Sequence, residues 1–120
     1  MDAQECKRRL LALLEWYKAP ESPCPFPFAP DFAHDNGAHI MSSDGWLSLL
    51  RVTAHLTDVT LADLVVDDAC TAGAIVFEAD DPITGLRHRI SWLVRFHDGA
   101  LKSLLTTSAM IPNLSERTRF

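Results

Sequence analysis

Residues 85–112 read GLRHRISWLVRFHDGALKSLLTTSAMIP, and the alternation within them decides how the rest of the chain is read. Asp98-Gly99 is a turn dipeptide between two long runs of alternating apolar and polar residues, so the stretch is predicted to be a hairpin with strands over 86–97 and 100–111. Side chains on a strand point alternately to its two faces. His88, Ile90, Trp92, Val94 and Phe96 therefore share one face, while Arg87, Arg89, Ser91, Leu93, Arg95 and His97 share the other. Read as a two-residue hairpin, the turn pairs Phe96 with Leu101, Val94 with Ser103, Trp92 with Leu105, Ile90 with Thr107 and His88 with Ala109. The apolar set must face a core, and His88 goes inward with it.

Working back from this hairpin, residues 59–67 and 69–78 are predicted as two more strands, divided by Asp67-Asp68 and by the turn residues Asp80 to Gly85. Upstream, Asn36-Gly37 lies within DFAHDNGAHIM and predicts a tight hairpin of type I′, with Phe32 and His34 on one face of its first strand. Ser42 or Ser43 then caps a helix to about Leu56 with an apolar stripe of Trp46, Leu49, Leu50, Thr53 and Leu56, leaving His55 on the solvated side. At the amino terminus Asp2 and Glu5 make a capping box for a helix whose buried face is Cys6, Leu10, Leu13, Leu14 and Tyr17. Pro20 ends it near Ala19. Five prolines from Pro20 to Pro30 then make an ordered connector or short edge strand, anchored by Phe26 and Phe28.

Helices first and strands afterwards is an α+β layout, with the helices on one face of a curved antiparallel sheet. The 120 residues form a single domain, 1–120, with one core that buries roughly two-thirds of the unfolded chain's surface. Hydrophobic residues at 48% and charged residues at 22% are too apolar for disorder, and no apolar run approaches the ~20 residues of a membrane helix. The start of the chain lacks a signal peptide's layout, so a soluble cytoplasmic protein is expected, with no membrane partner. A net charge of −5 with scattered Arg and Lys excludes a nucleic-acid stripe. Cys6, Cys24 and Cys70 have no paired or metal-ligand spacing and are expected to be free buried thiols. Asp31, His34, Asp35 and His39 straddle a turn on alternate faces, which speaks against a metal site. No cofactor is implied.

Two segments, FAPDFAHDNGAHIMSSDGWLSLL and RISWLVRFHDGALKSLL, resemble the nuclear transport factor 2-like superfamily, in its SnoaL-like small bacterial branch. The first is similar to that family's Asp-Phe strand, tight turn and helix with an early Trp-Leu; the second is similar to its strand, Asp-Gly turn and apolar start of the last strand. The resemblance implies a cone-shaped curved sheet wrapped around the first helix, a second helix near residues 43–57, a pocket opening toward the helices, and homodimers formed through the outer sheet face. The proline-rich connector departs from it, standing where the family often has a helix. Members perform unrelated chemistries, so the residues must decide function. The isomerase and epoxide-hydrolase branches use inward carboxylates, whereas between Gly85 and Leu114 the only acid here is Asp98, in a turn.

Two readings stay open. In one, a small apolar or weakly polar molecule occupies the cone, and His88 and His34 are the catalytic candidates, since burial favours the neutral, basic imidazole. Tyr17, Phe32, Trp46, Ile90, Trp92, Ser103 and Thr107 are then the ligand-binding candidates. In the other, the protein is a non-catalytic dimeric interaction module whose own aromatic side chains fill the cavity, with Leu93 on the self-association surface. His88 itself can be a satisfied core residue, a binding group or a general base.

Overall fold

In a computed structural model describing residues 2–52 and 56–111, the chain forms two helices and six strands, in the order α1 (Ala3–Lys18), β1 (Phe28–Asp35), β2 (Ile40–Met41), α2 (Ser43–Val52), β3 (Thr57–Val66), β4 (Ala72–Asp80), β5 (Arg87–His97) and β6 (Ala100–Met110). Thr53 and His55, placed above on the second helix, lie outside the described residues. The Asp2 carboxylate accepts the Glu5 amide at 2.8 Å and starts α1, and Ala19 closes it, as Pro20 requires. Cys6, Leu10, Leu13 and Leu14 are buried as the spacing predicts; Trp16 joins them, its indole N–H donating to the Ser22 carbonyl at 2.6 Å and so pinning the connector. Phe26 is the connector's anchor, buried against Phe96 with ring centroids 5.0 Å apart.

The six strands make one sheet in the order β2-β1-β6-β5-β4-β3. Neighbours run antiparallel except β1 and β6, which are parallel, so the curved sheet is mixed where the sequence suggests an antiparallel one throughout. Asn36-Gly37 does not form the two-residue turn expected of it. Asp35 pairs with Ile40, leaving residues 36–39 as a four-residue loop, and the Asn36 side chain accepts the Ala38 and His39 amides. That local bonding lets Asn36 keep a negative φ, with only Gly37 at +89°. Asp98 and Gly99 do adopt the left-handed pair, at +50° and +76°, and His97 pairs with Ala100 across them.

One residue then changes the expected register. Phe96 pairs with Leu101, but Arg95 pairs with Ser103, so Lys102 is an extra residue, a β-bulge. At the same place β1 passes from Phe28, opposite Leu101, to Ala33, opposite Ser103, and Asp31 of this arch pairs with the Lys102 ammonium. Pro30 lies within the arch and offers no ladder donor there. Beyond the bulge every β6 side chain changes face. Ser103 lies opposite outward Arg95 and Thr107 opposite outward Ser91, so neither lines the interior, and Thr106, opposite Trp92, does. His88 meets Met110 instead of Ala109.

The cysteines also differ from expectation. Cys6 on α1 and Cys70 in the β3–β4 turn form a disulfide with their Cα atoms 6.1 Å apart, and only Cys24 is a free thiol. Cys70 holds a left-handed φ of +54° in that turn. Nearby, α1 crosses β4 closely enough that a Cβ on Gly73 would sit 2.7 Å from Leu10 Cδ1 and 3.3 Å from the Val65 carbonyl oxygen. Among the described residues no helix is long and apolar enough to cross a membrane. Gly73→Ala is expected to destabilise the protein by about 1–3 kcal/mol, because Leu10 is fully buried and has little room to retreat; urea unfolding that gives unchanged stability would show that α1 does not press on β4 there.

Candidate functional site on the inner sheet face

The parity of β5 sends Ile90, Trp92, Val94 and Phe96 to the helix-covered face, all buried, and its charged residues to the other. Arg89 binds Glu78 at 2.8 Å, and Arg87 binds Asp80 at 3.1 Å and Asp58 at 3.4 Å, on the outer face. The Arg89 hydrogen bond holds the Glu78 carboxyl below its ordinary range. These pairs are exposed and worth little to stability, but they fix which face of β4 and β5 is outside.

Against this charged exterior, the inner face carries a connected polar and aromatic group. Trp92 of β5 lies directly opposite Thr106 of β6, and the Thr106 hydroxyl is 2.9 Å from His34 Nε2 on the neighbouring β1. His34 is 6% exposed and stacks on Trp46 of α2 with centroids 5.0 Å apart and planes 21° from parallel. Phe32, two residues earlier on the same face, stacks on Trp46 too, at 5.8 Å. From the other side, Tyr17 of α1 meets Trp92 edge-on at 4.9 Å. Side chains from three strands and both helices thus form one connected group, in which the imidazole touches Trp46 and Thr106 directly.

The ring is only half satisfied. Nε2 shares a proton with Thr106, whereas Nδ1 is buried with no hydrogen-bond partner. Burial pushes the His34 pKa down, and the neighbouring Asp35 carboxylate opposes that shift without cancelling it, so the ring is neutral at pH 7. Burial likewise pushes the Tyr17 hydroxyl above its ordinary value of 10.0. The histidine singled out first from the sequence, His88, does face inward, half-buried, with Nε2 buried and unpartnered. It stands four residues from Trp92, about 13 Å along the strand, between Ala79 and Met110. Ile90 lies between the two, opposite Phe77 and Ser108. The structure therefore brings His34, Tyr17, Phe32, Trp46 and Trp92 together, leaves His88 at the far end of the same face, and puts Ser103 and Thr107 outside.

Thr106 is the residue that reading the sequence missed. The sequence carries no sign of it, because Leu101, Leu104 and Leu105 suit a regular strand as well as the bulged one.

This architecture of two helices on the inner face of a six-stranded curved sheet recurs in solved structures. A de novo designed protein of the nuclear transport factor 2 fold superposes with a TM-score of 0.62 at 13% identity, covering 99% of this chain and 92% of the other. A nuclear transport factor 2-like protein of unknown function from Burkholderia xenovorans reaches 0.73 at 9% identity, covering 98% and 93%. The chain has the nuclear transport factor 2-like fold. An epoxide hydrolase of the LEH-like type from M. tuberculosis also matches, with a TM-score of 0.69 at 13% identity over 89% of this chain and 80% of that one. No protein-family model matches the sequence, and no curated protein matches it. Identities this low carry the nuclear transport factor 2-like fold and not an activity.

The downward shift at His34 has a sign for stability. The unfolded ring binds a proton near pH 6.5 while the folded ring does so at lower pH, so folding is favoured above that range and loses stability as pH falls through it. Thermal unfolding from pH 7.5 to 5 is expected to show this loss, and His34→Leu to remove part of the slope; an identical slope in the variant would place the proton uptake elsewhere. The chain's single tyrosine allows a second check, since ultraviolet titration of the phenol must report ionisation above pH 10.

Proposed function

We propose that the protein binds a small, largely apolar, uncharged molecule on the inner face of its sheet, with His34 as its polar anchor and as the group able to accept or donate a proton. The observation that carries this reading is the bare Nδ1 of a buried imidazole whose orientation is otherwise fixed by Thr106 and Trp46. A buried polar atom left unmated costs about 1–3 kcal/mol, a cost that a ligand's hydroxyl or carbonyl removes. Thr106 adds versatility, because a hydroxyl can donate or accept. When Thr106 donates to Nε2, Nδ1 carries the proton and faces the ligand as a donor; when Nε2 donates to Thr106, Nδ1 presents a lone pair. His34 can exchange these roles without losing its fixed partner, which suits general acid–base chemistry of the isomerase, cyclase or hydrolase kind.

His88 Nε2 supplies a second polar point toward the open end of the face, where Met110 is 63% exposed. The aromatic side chains of this inner-face group, Tyr17, Phe32, Trp46 and Trp92, are of a kind that suits a flat apolar body. A place in the SnoaL-like branch belongs to the same proposal, and the match to a protein named as an epoxide hydrolase supports a pocket-type use of the fold. A thermal-shift and NMR screen with apolar acids, lactones and steroids tests it. A site ligand is expected to perturb the His34 and Thr106 resonances, and His34→Phe to weaken its binding about tenfold. Ligands that bind equally well to His34→Phe would remove His34 from the site.

The outer face supports a second proposal, self-association as a homodimer. Val65, Ala74, Leu93 and Leu105 stand side by side across β3, β4, β5 and β6, with Val65, Leu93 and Leu105 at 55%, 37% and 38% exposure. A twofold interface places this row against its own copy. Wild-type protein is expected to sediment as a dimer and Leu93→Asp as a monomer; a variant that remains dimeric would locate the interface elsewhere.

A further inference from the structure

At the opposite end of β5 from His88, a surface depression of about 560 Å³ opens beside the Asp98-Gly99 turn. Arg9, Cys70, Thr71, Phe96 and His97 are among the residues that line it. Cys70 is one half of the disulfide and borders the depression at 7% exposure, while its partner Cys6 is wholly buried and does not. The two cysteines of this bond are therefore unequal: Cys70 borders the depression, and Cys6 does not.

We propose that Cys70 is a thiol–disulfide exchange site, at which a small external thiol enters the depression and becomes joined to Cys70. The external thiolate attacks Cys70 Sγ; a new sulfur–sulfur bond forms as the bond to Cys6 breaks, and the electron pair leaves on Cys6 Sγ, which then takes a proton from water. A second molecule of the same thiol attacks the mixed disulfide, releases the oxidised dimer of the small thiol and leaves Cys70 reduced. Two electrons pass from the thiols to the protein disulfide. Cys6 is the leaving side because it lies in the buried core behind Cys70, away from the depression through which the external thiol arrives. Phe96 and Thr71 hold the β4–β5 side of the depression by a backbone bond, Phe96 N–H to the Thr71 carbonyl at 2.9 Å, that exchange does not disturb.

The consequence is mechanical. The disulfide ties the first turns of α1 to the β3–β4 turn across 64 residues of sequence, and the same helix carries Tyr17 about three turns further on. In the cytoplasmic setting expected from the sequence, the thiol pool would set whether that tie is made. This inference stands on the depression and the disulfide and is independent of the ligand site.

The test uses the full chain, oxidised in air, in native buffer with glutathione as the probe, quenched by alkylation and mapped by peptide mass. The expected result is glutathione on Cys70 with Cys6 alkylated, at a rate that doubles when the thiol concentration doubles, and that is unchanged by Cys24→Ser. Glutathione found on Cys6, or a rate that levels off at the separately measured unfolding rate, would overturn the proposal, because either would mean that the folded protein does not present Cys70. An oxidised chain lacking the Cys6–Cys70 cross-link would overturn it as well.

Discussion

A single inserted residue in the last strand governs what the interior of this protein can do. Side chains on a strand alternate strictly, so the bulge at Lys102 reverses the facing of everything after it. Without the bulge, Ser103, Leu105 and Thr107 would face the helices and Thr106 would face solvent. With it, the Thr106 hydroxyl reaches His34 across the parallel β1–β6 junction, and Leu105 is released to the outer face beside Leu93. The candidate site and the candidate association surface are two results of one register shift.

The shift is held where two irregularities coincide. β1 arches over the position at which β6 bulges, and the two strands rejoin at Ala33 and Ser103 with His34 next in line. Phe28 before the arch and Phe32 at its end pack on Trp46, and Trp46 covers the His34 ring. An imidazole in that aromatic enclosure has lost most of its water, which lowers its pKa and leaves Nδ1 without a partner. The same packing that stabilises the cone thus leaves His34 chemically unsatisfied. His88, on a more open part of the face, is a neighbour of this arrangement and not its centre.

The two ends of the sheet are specialised differently. At the start of β5 the inner face opens past His88 and Met110. Toward the end of β5 it is closed by Phe26, Phe96 and the Cys6–Cys70 cross-link, which fastens α1 to the β3–β4 turn. Because α1 touches both regions, Cys6 near one end of the helix and Tyr17 near the other belong to a single rigid body. In the chain-entropy view a cross-link closing a loop of this length stabilises by about 4 kcal/mol, enough to matter in a domain of modest core.

Much of this was legible in the sequence, for a definite reason. Period-two alternation in β5, the capping of α1 by Asp2, the stop at Pro20 and the left-handed Asp98-Gly99 pair are local effects, settled by residues within a few positions of one another, and they sufficed for the α+β class and for sending His88 and His34 inward. The loop at Asn36 departs from the expected turn because its side chain bonds its own backbone in a way that the Asn-Gly pair alone does not reveal. What only the tertiary structure decided depends on partners far away in the chain: the β1 arch that accommodates Lys102, the contact of His34 with a threonine 72 residues later, and the meeting of two cysteines 64 residues apart. Spacing along a chain reports which face a side chain takes, whereas the identity of the atom opposite is set by which strands pair and where their register slips.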